Sequence, residues 1–105
     1  MFARVTRYEG SPSEIEAGIK LIKETIAPAA KRLQGFKGGY WLLDRASSKG
    51  FSVTLFESEA ALHATEDDAA QLRSRASSIV KITAVERYEV VAEANVEELS
   101  PAPAR

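Results

Sequence analysis

His63 is the single histidine of this 105-residue chain, and histidine is the side chain best suited to moving a proton near neutrality. It stands in Leu62-His63-Ala64-Thr65-Glu66-Asp67-Asp68, within a stretch of helical spacing. A side chain that takes a proton from a bound molecule acts as a general base. His63 is the candidate for that role. It lies beside Leu62 rather than on the apolar stripe, so the competing reading is a partly exposed helix histidine. Arg4, Thr6 and Tyr8 form a second constellation, because residues two apart on a strand share a face. Polar groups on an otherwise apolar sheet face suit an oxygenated aromatic ligand, and they suit a rim in water equally well. Tyr40 and Trp41 are adjacent and so face opposite ways. Packing is the ordinary role of such rings, and lining a pocket is the alternative. With Phe56, these residues give the candidate ligand-binding set Arg4, Tyr8, Trp41, Phe56 and His63.

Other chemistries are excluded or weakened by composition. The chain has no cysteine, which removes disulfides, thiol nucleophiles and zinc–thiolate sites. One histidine gives too few converging ligands for a metal site, and Glu66-Asp67-Asp68 reads as a solvated loop or a helix start. Lys49-Gly50-Phe51-Ser52-Val53-Thr54-Leu55-Phe56 imitates the RNP1 pattern of RNA-binding domains at Lys49, Gly50, Phe51 and Phe56. The position that should supply a stacking ring is Val53, and the net charge is −1. RNA binding needs both a stacking platform and a basic track, so nucleic acid is not an expected partner. No apolar run reaches the roughly 20 residues of a membrane span. The N-terminus alternates instead of forming an apolar signal core, and the expected location is the cytoplasm.

The elements that must position these residues follow from pattern. Residues 2–9 alternate and read as a strand, with Phe2, Arg4, Thr6 and Tyr8 on one side and Ala3, Val5 and Arg7 on the other. Ser11 and Glu14 have capping-box spacing and Pro12 falls at the first helical position. Ile15, Ile19, Ile22 and Ile26 then form an apolar helical stripe, which Ala29 and Leu33 extend beyond Pro28. That proline should kink or split the helix, and Gly35 suits a C-terminal cap. Residues 38–59 read as a β-hairpin whose turn is Ala46-Ser47-Ser48-Lys49-Gly50. Ser58 is placed to cap a second helix, along which Leu62, Ala69, Leu72, Ala76 and Ile79 keep helical spacing, with an interruption expected at residues 66–68. Lys81–Glu93 is β-branched and reads as a last strand. Asn95–Arg105, with Pro101 and Pro103, reads as a mobile tail.

The order β-α-β-β-α-β predicts an α+β domain over residues 1–94 with the ferredoxin-like arrangement, a four-stranded antiparallel sheet carrying two helices on one face. The hairpin strands are apolar on both faces: Tyr40 and Leu42 against Trp41 and Leu43, and Phe51, Val53 and Leu55 against Phe56. The face without helices would therefore be an exposed apolar patch in a monomer. A homodimer packed sheet against sheet is the expected solution.

Three segments carry a resemblance. Gly35-Phe36-Lys37-Gly38-Gly39-Tyr40-Trp41, Val53-Thr54-Leu55-Phe56-Glu57-Ser58-Glu59-Ala60-Ala61 and Tyr88-Glu89-Val90 resemble the antibiotic-biosynthesis-monooxygenase (ABM) type of dimeric α/β barrel, over roughly residues 1–93. The resemblance implies a homodimer whose two sheets form a barrel, with a pocket in each subunit between sheet and helices. It implies a cofactor-free monooxygenase acting on a small apolar or aromatic molecule, or a non-catalytic ligand-binding or regulatory barrel; a third possibility is a dimerisation module with a filled interior. Haem-degrading members use an asparagine on strand one and a tryptophan and a histidine on helix two. Those helix positions fall near Thr65 and Arg75 here, and strand one has no asparagine, so haem degradation is not carried over. The Asn/Trp/Tyr set of the quinone-forming members is likewise unmatched, which leaves the catalytic residues unassigned.

Overall fold

The structure is a computed structural model that describes residues 1–95. Four antiparallel strands, β1 (Phe2–Glu9), β2 (Phe36–Asp44), β3 (Lys49–Phe56) and β4 (Lys81–Glu89), form one sheet in the order β2-β3-β1-β4. Helices cover one face of it, which is the ferredoxin-like α+β arrangement expected from the element order. The last strand is shorter than its sequence pattern, because β1 offers no ladder partner past Phe2, which pairs with Glu89. A single further bond, from the Val90 N–H to the Met1 carbonyl at 2.8 Å, closes that edge. The tail expected from Asn95 onward lies, apart from Asn95 itself, outside the described residues.

The first helix, α1 (residues 12–30), opens with a tight turn at Pro12–Glu14 and continues as α-helix through Ile15–Leu21. The capping box is not formed. The Ser11 side chain makes no capping bond, and it is the Ser11 carbonyl that accepts from the Glu14 N–H at 3.0 Å. Pro28 neither splits the helix nor ends it. Its ring would crowd the carbonyl four residues back, and the chain widens before it into a π turn over Ile22–Ile26, in which the Ala27 N–H reaches the Ile22 carbonyl. Regular helix resumes at Ala27–Ala30. Gly35 lies five residues past that end, not in the capping position, and occupies the left-handed region with φ of 78°. There its carbonyl accepts from the Glu57 N–H at 2.9 Å, tying the turn to the end of β3.

The second helical region is two helices, α2 (Glu59–Ala64) and α3 (Glu66–Ala76). Ser58 caps α2 as expected, its Oγ accepting from the Ala61 N–H at 3.1 Å. The chain breaks at Thr65, one residue ahead of the acidic triplet, so Glu66, Asp67 and Asp68 do not interrupt a helix but begin one. Carboxylates are favoured there, next to free backbone N–H groups. Ile79 lies beyond the end of α3. Phe56 and Leu62 are fully buried and form a core with Ala61, onto which Phe2, Leu33 and Phe36 pack.

The hairpin glycine has a different use from the one its spacing suggests. The left-handed residue of the turn is Ser48, with φ of 62°, while Gly50 sits within β3 opposite Leu43. A methyl group on Gly50 would overlap the Leu42 carbonyl and approach the Tyr8 ring to 2.8 Å. Gly50 therefore gives Tyr8 the room to cross the sheet and donate its hydroxyl to the Leu42 carbonyl at 2.9 Å. We expect Gly50→Ala to lower unfolding free energy in urea by about 1–3 kcal/mol through overpacking. Gly10→Ala, whose added methyl meets nothing closer than 3.8 Å, should stay within about 0.5 kcal/mol of the parent.

Candidate functional site

Between the sheet and the helices lies a cavity of about 80 Å³. Strand alternation supplies its floor: Arg4, Thr6 and Tyr8 of β1, Ser52 and Thr54 of β3, and Trp41 of β2 all face the helices. Its roof is apolar, from the α1 stripe at Ile22 and Ile26 and the α3 face at Ala69, Leu72 and Ala76. Arg73 is the one charge on that α3 face, four residues after Ala69 and so one turn along. A second space of about 100 Å³ continues past Trp41 and Tyr8 toward Ile15 and Ile19. Polar groups below and aliphatic groups above is the usual division of labour in a small-molecule pocket.

Arg4 is the centre of the floor. Its side chain is only 3% exposed, and its guanidinium stacks over the Phe56 ring at 5.0 Å. Nη2 donates to the Leu62 carbonyl at 2.9 Å and to Thr65 Oγ1 at 3.2 Å, and stands 3.3 Å from a Glu66 carboxylate oxygen. One arginine nitrogen thus binds the C-terminal end of α2 and the first residue of α3. Thr65 turns its hydroxyl back onto the Ala61 and Leu62 carbonyls, which fixes the break between the two helices. Arg4 Nε, by contrast, is buried without any partner, and so is Arg73 Nη1.

The charges divide unevenly. Glu66 receives Arg87 through both Nε and Nη2, each at 2.8 Å, and Arg4 at 3.3 Å. These contacts, the bidentate one from Arg87 foremost, hold its carboxyl down to about 2. Burial pushes the Arg4 guanidinium below its ordinary range, with Glu66 opposing. Burial also lowers Arg73, and the positive charge of Arg4 adds to that. Both remain cations, since arginine is not deprotonated in proteins. Burial raises the Tyr8 hydroxyl to about 12, against the favourable bond to Leu42. Tyr8 is therefore a protonated donor throughout the physiological range, and not a base.

Of the residues singled out from sequence, Arg4, Tyr8 and Trp41 meet at this cavity. Trp41 is the ring that faces the helices, while Tyr40 lies on the opposite face and is 71% exposed. Phe56 is beside the cavity but not on its surface; it is fully buried under Arg4 and meets Phe36 edge-to-face with centroids 5.9 Å apart. His63 is elsewhere. Its side chain is 65% exposed on α2, 3.8 Å from the Glu59 carboxylate one turn earlier. Sequence reasoning missed Arg73 and Glu66. The first could have been found from its place on the Ala69–Leu72–Ala76 stripe, whereas the second was hidden within an acidic run that reads as solvent-facing.

No family model matches the chain. Among curated proteins, the uncharacterised Rv2557 and Rv2558 of Mycobacterium tuberculosis are 28% and 29% identical, over 88% and 73% of this chain. The matches cover 42% and 33% of those proteins, so the chain spans about two fifths or less of the curated relatives it matches. Solved structures are similar over nearly all of the chain. HapK from Hahella chejuensis superposes with a TM-score of 0.75 at 12% identity, over 92% of this chain and 99% of HapK. The heme-degrader MhuD of Mycobacterium tuberculosis, solved with two hemes in its active site, gives 0.73 at 21% identity, over 90% and 100%. The monooxygenase ActVA-Orf6 of Streptomyces coelicolor, in complex with Nanaomycin D, gives 0.64 at 15% identity, over 91% and 90%. The chain has the ABM-type fold. At these identities the likeness establishes the ABM-type architecture and leaves the chemistry to the residues of the cavity.

The Glu66 cluster should be visible in the pH dependence of stability. The carboxyl lies below its ordinary 4.5 in the folded state, at about 2, so its ionised form favours folding above 4.5. That contribution is lost as pH falls from 4.5 toward 2. Melting temperatures of the parent and Glu66→Gln should differ most near neutrality and converge as pH drops through this window. A difference that stays constant to pH 2 would contradict the assignment.

Proposed function

We propose that this chain is the subunit of a homodimeric ABM-type barrel that binds a small apolar or aromatic molecule in the cavity between sheet and helices. The observation that carries the reading is the cavity itself, with hydroxyls and arginine below and aliphatic side chains above. Such a site desolvates an apolar body and orients it through a few polar groups. The non-catalytic alternative is the better supported. Histidine is the natural base near neutrality, and His63 lies outside the cavity. Tyr8 holds its proton to about 12 and Glu66 is committed to arginines at about 2. Cofactor-free oxygenation, suggested by the likeness to ActVA-Orf6, would need a substrate that ionises without a protein base. Haem degradation is not our reading, because the histidine that could serve as an axial ligand is on the outer side of α2. RNA binding is not either: Phe56, one of the two RNP1-like rings, is fully buried.

The dimer rests on the sheet face opposite the helices. Tyr40, Leu42 and Tyr88 are exposed there, around Phe51, Val53 and Leu55 on the same face. An apolar face of this kind is the usual mark of an interface. Light scattering should give a mass near twice 11.4 kDa, and Tyr40→Glu, by placing a charge on that face, should shift the population to monomer. A parent protein that stays monomeric at high concentration would overturn the sheet-to-sheet assembly. For the ligand site, quenching of Trp41, the one tryptophan, by 4-nitrobenzyl alcohol should be saturable. Ala76→Phe, which fills the roof, should weaken it about tenfold or more, a loss of at least about 1.4 kcal/mol. Equal binding by that variant would place the ligand elsewhere.

A further inference from the structure

The polar floor of the cavity carries more positive charge than the protein balances. Glu66 is the acid within this cluster, and its two oxygens already serve Arg87 twice and Arg4 once. Arg73 makes no such contact through Nη1, and Arg4 makes none through Nε. Among the described residues, neither Asp nor Glu lines the cavity. A cation turned into an apolar pocket with no acid bonded to it is costly, and half-buried Arg73 is in that position. Water filling the cavity would satisfy a donor but would leave the charge uncompensated. Arg73 is also on the inward face of α3, on the same stripe as Ala69, Leu72 and Ala76, where an aliphatic residue would have packed at no electrostatic cost.

We propose that the cavity binds an apolar molecule through a terminal oxyanion, a carboxylate in the first instance, held between Arg4 and Arg73. This rests on the reading of the cavity as a ligand site and names the class of ligand it takes. Guanidinium groups suit the planar carboxylate and make charge-assisted bonds about twice as strong as neutral ones. The hydroxyls of Thr6 and Ser52 line the same floor and are available as further donors, whereas Thr54 Oγ1 already donates to the Arg4 carbonyl at 3.4 Å. The aliphatic roof then covers the rest of the molecule. Arg4 holds the α2–α3 junction through Nη2, while its enclosed Nε has no partner within the protein. Arg73 has no comparable structural bond, and it is the residue whose substitution isolates the ligand function.

The test is a matched pair of quenchers, 4-nitrobenzoate and 4-nitrobenzyl alcohol, which differ in the carboxylate and share the nitroaromatic body. Trp41 fluorescence reports both. The parent should bind the benzoate about tenfold or more tighter than the alcohol, as one charge-assisted contact warrants. Arg73→Gln should remove most of the benzoate's advantage over the alcohol, and Arg73→Lys should retain part of the preference. Arg75→Gln, exposed on the same helix, controls for general attraction and should keep the full preference. Equal binding of the two quenchers by the parent, or a loss of preference in Arg75→Gln as large as in Arg73→Gln, would overturn the oxyanion site and leave the cavity reading standing. Saturable quenching by neither would overturn both.

Discussion

A guanidinium buried in the middle of the sheet is the constraint around which this fold is arranged. Arg4 is the third residue of β1, between Thr54 of β3 and Arg87 of β4. At that depth its charge must be compensated or the strand would not hold its register. The compensation is built from three sources: the face of Phe56, the carbonyl and hydroxyl at the α2–α3 break, and a share of the Glu66 carboxylate. Each source dictates something else. The carbonyl of Leu62 meets Arg4 where the helix stops at Thr65, from whose hydroxyl it also accepts. The carboxylate is in reach because the next helix starts with Glu66, whose other partner, Arg87, is cross-strand from Arg4. The sheet and the second helical region are thereby fastened at one polar point, beside the apolar core of Phe56, Ala61 and Leu62.

The cavity is what remains when that point is fixed and α1 is laid over the other half of the sheet. Pro28 and the π turn before it widen α1 along the cavity roof, at Ile22 and Ile26. Wide turns of this kind recur at functional sites. Trp41 and Tyr8 separate the main cavity from its extension, and Tyr8 is kept in place by the Leu42 carbonyl and by the absence of a side chain at Gly50. The positioning of the site is thus distributed over residues that do no chemistry.

Much of this was legible in the sequence because it depends on periodicity. Alternation along residues 2–9 placed Arg4, Thr6 and Tyr8 on one face, and the isoleucine spacing located α1 and its buried side. What was not legible depends on contacts between distant segments. Nothing local to Glu66-Asp67-Asp68 distinguishes a carboxylate that meets two arginines from its two solvent-facing neighbours. The hairpin glycine read as a turn residue because the Tyr8 ring that requires it is 42 positions earlier in the chain. The Ser11 box failed for a local reason: Pro12 starts the helix as a tight turn in which the Ser11 carbonyl, rather than its hydroxyl, takes the Glu14 N–H. His63 drew attention as the sole histidine, yet composition says nothing about which side of a helix a residue occupies.

Arg4 is a buried cation, anchored through Nη2 and without a partner at Nε. Arginine-selective NMR of the Nε–H groups measures this directly, by hydrogen exchange in the free protein and by chemical shift on adding 4-nitrobenzoate. The Arg4 signal should exchange far more slowly than that of exposed Arg45, and it should move on addition of the carboxylate while Arg45 does not. An Arg4 Nε–H that exchanges as fast as Arg45, or one that is slow but indifferent to the carboxylate, would contradict the account.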